Sequence, residues 1–115
     1  LNIFVLHSDP EICARFHCDK HVGKMLLESC QIMSTAVQLE LGKEIEGLYK
    51  KTHINHPCVK WCRESKNNFG WLWRLASYLH NEFIYRFGKT HKSHELLTIL
   101  FQYNKLFPSK KLKFI

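Results

Sequence analysis

From Glu11 to Leu41 the chain contains one glycine, Gly23, and no proline, while Val22, Met25, Leu26, Ser29, Cys30, Met33, Val37 and Leu41 recur at spacings of three and four. At 3.6 residues per turn those positions fall on one stripe, so the stretch has to be an amphipathic helix with that stripe buried. Ser8-Asp9-Pro10-Glu11 supplies its start: Asp9 can cap, and Pro10 suits the first helical position because its missing N–H would have no partner there. Gly42 supplies its stop. One unbroken helix over this span would be about 48 Å long, too long for so short a chain. A bend or restart is therefore expected near Cys18-Asp19-Lys20, with Asp19 as the second cap.

The remainder follows the same grammar. Gly42 to Asn55 has two glycines, mixed charge and little apolar periodicity, and reads as a loop. Asn55-His56-Pro57 opens another helix, whose stripe runs Val59, Cys62, Phe69, Leu72, Trp73, Ala76, Leu79 and Phe83; Ser65 or Asn68 can restart it, and Gly88 ends it. Ser93 can cap a last helix through Leu97, Leu100, Phe101 and Leu106, stopped by Pro108. The apolar hexamer Leu1 to Leu6 is either a short strand or a packed extended arm. The expected fold is mainly α: a single compact domain over residues 1–115, about four helices with a short extended N-terminal segment.

Composition narrows the class. With 45% apolar and 13% aromatic residues, five glycines and three prolines in 115 residues, the chain can bury a real core, which excludes a disordered tail and a fibrous protein. No apolar run reaches the roughly 18 residues of a membrane span, and Leu1 to Leu6 lacks the basic flank of a signal peptide. The five cysteines are odd in number and not in a disulfide-framework spacing, so they read as reduced thiols. The expectation is a soluble, intracellular protein, in the cytoplasm, at the nucleoid or in an infected host cell.

The net charge of +7 is unevenly spread. Residues 1 to 49 carry four basic and seven acidic side chains, whereas from Lys50 onward there are thirteen basic and three acidic. A basic face for a polyanion and a less basic region for a working carboxylate are both implied.

The densest group of reactive side chains lies in the less basic half: Cys13, His17, Cys18, Asp19, Lys20, His21, Lys24 and Glu28. On a helix, Cys13, His17 and His21 are successive turns of one face, and His21 and Glu28 stand two turns apart at nearly one azimuth. That face runs into the apolar stripe at Met25, so partial desolvation is expected to raise the Glu28 pKa toward the range useful for proton transfer. Zinc competes for the same residues. His17 and His21, with Cys58 and Cys62, have the inventory of a Cys2His2 site, and His53/His56 and His91/His94 add candidates. In the basic half, Trp61, Trp71 and Trp73 are interleaved with Lys60, Arg63, Lys66 and Arg74, and followed by Arg86, Lys89 and Lys92. Such a series can grip phosphates and offer platforms to unstacked bases. Trp73 continues the core stripe, which leaves Trp61 and Trp71 as the expected surface rings.

Asp19-Lys20-His21 with Glu28 seven residues on resembles the family of pyrimidine-dimer DNA glycosylases with AP-lyase activity, small helical repair enzymes typified by endonuclease V of T-even phages. His56-Pro57, Trp71-Leu72, Glu82 and Arg86-Phe87-Gly88 extend the resemblance into the second half. Asn2-Ile3-Phe4-Val5-Leu6, Asp9-Pro10 and His17-Cys18-Asp19-Lys20-His21 are similar to the openings of short phage and viral proteins. The family has arginines just before and three residues after its catalytic Glu, where this chain has Leu27 and Gln31.

The resemblance implies an amine nucleophile that attacks C1′ of a damaged nucleotide, expels the base and forms a Schiff base; a glutamate assists, and β-elimination then breaks the strand. A terminal α-amine suits this role, since its pKa is about 7.7 to 8.0, whereas an ordinary lysine near 10.4 is unprotonated in only about one part in 2,500 at pH 7. The implied catalytic group is the Leu1 amine, Glu28 and His21. Lys20 or Lys24 could replace the amine only if burial lowered its pKa by about 3 units. His17 and His21 would position the sugar-phosphate, while Lys20, Lys24, His56, Lys60, Trp61, Arg63, Lys66, Trp71, Arg74, Arg86, Lys89 and Lys92 would, with His17, hold the DNA, a damaged duplex. No cofactor or metal is called for. Two other classes stay open on sequence: a non-enzymatic viral protein that binds nucleic acid or nucleotides, and a zinc-stabilised module or metal-dependent nuclease.

Overall fold

The computed structural model describes residues 1–114 and, among them, contains helices and no strand. An extended arm, residues 1–8, leads into α1 (Pro10–Arg15). There follow α2 (Asp19–Leu41), α3 (Pro57–Glu64), α4 (Lys66–Phe87) and α5 (His94–Phe101), with a single 3-10 turn at Asn104–Leu106. The expected mainly α fold is what the chain adopts, and the opening hexamer is the packed arm rather than a strand.

Local chemistry explains each boundary. The Asp9 carboxylate accepts the N–H groups of Glu11 and Ile12, and Pro10 takes the first helical position. The break in the long helical stretch falls where expected, but its cap is Cys18, whose extended backbone turns the chain without a side-chain bond. Asp19, expected to cap, is the first residue inside α2, and its carboxylate accepts from Arg86 at 3.1 Å. Gly42 and Gly88 end α2 and α4 in the left-handed region, each at φ +68°, a conformation that costs a side-chain-bearing residue energy. Of the two candidates for restarting the second long stretch, Ser65 does so: its hydroxyl accepts the Asn68 N–H at 2.9 Å. The last helix is shorter than expected, ending at Phe101. Ser93 precedes it without capping through its side chain, because the Ser93 hydroxyl is paired with the Tyr49 hydroxyl at 2.6 Å.

The core forms where α2 packs along α4, with α1 against α4 and α3 against α2. The buried α2 stripe is the one read from periodicity, apart from the half-buried Leu41. Gly23 allows a close approach of α2 to α4: a Cβ there would stand 3.0 Å from the Phe83 ring. The loop between α2 and α3 is tied down by a buried side chain rather than by secondary structure. Gln38 donates to the Tyr49 carbonyl at 2.8 Å and accepts from the Ile45 N–H at 2.9 Å.

The chain after the 3-10 turn returns across α3 and α4. Lys66 N–H donates to the Pro108 carbonyl, Asn67 to that of Lys110, and the Trp61 indole to that of Lys113. Phe114 lies between Trp61 and Trp71, edge-on to Trp71 at 5.0 Å. Trp61 and Trp71 are consequently buried, at 5% and 1% exposure, which corrects their expected place on the surface. Trp73, expected to be the packed one, is only half-buried. The arm is anchored through the same layer, since the Trp71 indole N–H donates to the Ser8 carbonyl at 2.7 Å.

Candidate active site

The arm brings the first residues of the chain onto Glu28. The Asn2 backbone N–H donates to Glu28 Oε1 at 2.9 Å, and the Leu1 ammonium nitrogen stands 3.7 Å from the same oxygen. Burial of the Leu1 side chain, 4% exposed, keeps this end of the arm in place. The Glu28 side chain is 14% exposed, open on one side to a cleft of about 370 Å³ lined by Leu1, Asn2, Phe4, Lys24, Glu28 and Gln31. A carboxylate, an amine and a lysine thus share one small space, the inventory for nucleophilic attack with proton transfer.

Four contributors to this site were not legible as such. The Asn2 amide, the Phe4 ring and Gln31 have no chemical signature in sequence. Cys58, read as a zinc ligand, is the second residue of α3 and lies near the Leu1 amine and Glu28. Burial pushes its thiol up, opposed by a bond to the Ile3 backbone and by the nearby terminal amine, while Glu28 adds to the rise.

The histidines take other places than the helical spacing implied. Because the helix breaks after Arg15, Cys13 lies on α1, His17 in the joint and His21 on α2. His17 is buried at 3% exposure, its Nδ1 bonded to the Cys13 carbonyl at 2.8 Å and its ring packed against Phe4. Burial lowers its pKa, against the Cys13 carbonyl and with the help of His21 and Arg86. Buried in the joint and packed on Phe4, His17 does not line the Glu28 cleft. His21 lies behind the same ring, 5.1 Å between centroids. His56 is used as the cap of α3, its Nδ1 accepting the Cys58 N–H at 3.0 Å.

Among the basic residues, Lys20, Lys24, Lys60, Arg74, Lys89 and Lys92 are exposed and Lys66 half-exposed. Two arginines are committed within the protein. Arg63 pairs with Glu40 at 2.8 Å. Arg86 bonds Glu82, Asp19 and the carbonyls of Arg15 and His17, locking the end of α4 to the joint between α1 and α2. The Arg86 guanidinium is thus already engaged within the protein.

Among the described residues no three His, Cys, Asp or Glu side chains converge as a metal site would require, so the Cys2His2 arrangement does not form. Cys62 is fully buried and burial drives its thiol far up; Cys30, also buried, is pushed up to about 12. Both behave as packing residues.

Three partly or fully buried histidines give one expected result. His17, His80 and His91 each have their pKa lowered chiefly by burial, so the folded chain binds fewer protons than the unfolded chain as pH falls through about 6.5. Their contribution to stability is present above that pH and lost progressively below it. Thermal melting at pH 7.5 and 5.5 should show a lower midpoint at 5.5, with a smaller drop in His17→Gln.

Among the described residues no helix is long and apolar enough to cross a membrane. No curated protein and no solved structure is significantly similar to the chain. The family model for pyrimidine dimer DNA glycosylase does match, over residues 1–96. That span holds the arm, α1 to α4 and every residue lining the Glu28 cleft, and the chain belongs to the pyrimidine dimer DNA glycosylase family.

Proposed function

We propose that this protein is a glycosylase and AP lyase for damaged duplex DNA, with the Leu1 α-amine as nucleophile and Glu28 as the acid-base residue. The observation that carries the reading is the 3.7 Å approach of the Leu1 nitrogen to Glu28 Oε1 at the edge of an open cleft. Glu28 there can accept a proton from the ammonium and release the amine's lone pair. The amine then attacks C1′ as the glycosidic bond breaks, and the departing base takes up a proton. Opening of the sugar ring leaves a protonated Schiff base between nitrogen and C1′, with the proton moving to the ring oxygen. This cation acidifies the C2′ proton; its removal breaks the C3′–O bond, and hydrolysis of the imine returns the amine.

Lys20 and Lys24 are one turn apart on α2, and Lys24 borders the cleft. In this reading Lys20 and Lys24 hold phosphates of the bound strand, with the exposed Lys60 of α3 as a further contact. Neither Arg63 nor Arg86 is assigned such a contact, because both are engaged within the protein.

Borohydride reduction during incubation with a duplex containing an abasic site or a pyrimidine dimer tests the chemistry. The expected product is a covalent adduct whose DNA-bearing peptide starts at Leu1, with acetylation of that amine reducing the yield at least a hundredfold. An adduct mapped to Lys24 would move the nucleophile to that side chain. No adduct with either substrate, alongside intact DNA binding, would replace the enzyme by a binding protein.

A further inference from the structure

A second and larger cleft, about 620 Å³, opens on α4, α5 and the 3-10 turn and shares no lining residue with the Glu28 site. Its size is that of a small-ligand site. Its floor includes Gly70, in the second turn of α4, where glycine is less favourable than alanine. By the helical period Gly70 stands on the side of α4 opposite Leu72 and Leu79, so its lack of a side chain serves no packing in the core. A Cβ there would meet only the Asn104 amide at 3.4 Å and the Arg74 guanidinium at 3.7 Å. The glycine leaves space, and polar groups border it.

The walls combine two kinds of recognition. Phe101, 65% exposed, and the half-buried Trp73 form an aromatic corner with ring centroids 5.1 Å apart. The Trp73 N–H is bonded to the Leu97 carbonyl at 2.8 Å, which fixes the indole plane. Lys66, Arg74 and Lys105 border the same space, no carboxylate lines it, and among the described residues none of the three forms an ion pair. Gln102 adds an amide at the rim. Unpaired cations around an exposed aromatic corner match a ligand that is a planar ring at one end and an anion at the other.

We infer that this cleft binds a nucleotide unit, with the base against Trp73 and Phe101 and the phosphate among Lys66, Arg74 and Lys105. The unit is either a free mononucleotide or one residue of a single strand. The site does not depend on the chemistry at Glu28.

Titration of the whole protein with thymidine 5′-monophosphate and with a short oligothymidylate, read by tryptophan fluorescence, tests this; Trp73 is the indole positioned to report, the other two being buried. Saturable binding of at least one probe is expected. Arg74→Ala and Phe101→Ala should each weaken it about tenfold, and Gly70→Met, which fills the floor, should abolish it. Circular dichroism should show full helix content in all three variants, and Gly70→Met should keep the covalent trapping of the parent. Binding of the mononucleotide assigns a free nucleotide, and binding of the oligomer alone assigns a strand. Absence of binding by both probes overturns the inference, as does binding that survives both Gly70→Met and Phe101→Ala.

Discussion

Glu28→Gln lowers the rate of borohydride-trappable adduct formation by about 10²- to 10⁴-fold, the usual worth of a positioned acid-base group. The substitution keeps the shape of the side chain, and an amide oxygen still accepts the Asn2 N–H that Glu28 Oε1 now accepts at 2.9 Å. The arm therefore keeps its anchor. What disappears is the negative charge beside the terminal ammonium and the ability to take its proton. Single-turnover trapping at fixed pH, with substrate binding measured in parallel, separates these effects: the rate falls while affinity changes less than threefold. An undiminished rate in Glu28→Gln removes the carboxylate from the mechanism. A partial recovery at high pH, where more of the amine is already unprotonated, would be the signature of a missing base.

The largest effect on stability is expected from Trp71→Ala, at about 3 to 5 kcal/mol. Trp71 is among the largest fully buried side chains, packed edge-on against Trp61 and Phe114. Its indole also donates to the Ser8 carbonyl. Truncation opens a cavity at the meeting of α3, α4 and the returning chain, and it releases the arm that carries Leu1 and Asn2. With a whole domain stable by only about 5 to 15 kcal/mol, such a loss brings the protein near unfolding at 37 °C. Urea denaturation measures it, and Trp71→Phe serves as the control: an aromatic ring still fills much of the site while the N–H bond is lost, for about 1 to 3 kcal/mol from that bond. A midpoint for Trp71→Ala within error of the parent would mean that the tryptophan layer does not hold the arm.

What the sequence discloses and what it conceals divide along chemical lines. Apolar period, Asp9-Pro10, Gly42 and Gly88 encode helices and their ends, because capping and periodicity are local and each residue carries its own signal. Trp61 and Trp71 were misread because what buries them is remote. Their cover is a stretch dominated by Lys110, Lys111 and Lys113, which looks like a solvated tail until its backbone carbonyls and Phe114 are seen to be the parts in use. His17 was misread for a related reason. The i, i+4 spacing holds only within one helix, and the joint at residues 16–18 turns the ring inward. Glu28 was legible as a carboxylate at the edge of an apolar stripe. Its partner, an extended arm folded back over α2, follows no periodic rule.

The returning chain also governs when the structure can be completed. Its bonds to Trp61, Asn67 and Asn68 join residues 52, 43 and 45 positions apart, and Phe107, buried against Phe69 at 4.8 Å, belongs to the same closing layer. The returning segment that makes these contacts lies wholly beyond residue 96, where the family match ends. During synthesis the helices can form as they emerge, since their bonds are local. The tryptophans of α3 and α4 must nevertheless wait uncovered until Phe114 has cleared the ribosome, so the nascent chain exposes an aromatic surface after its helices have formed.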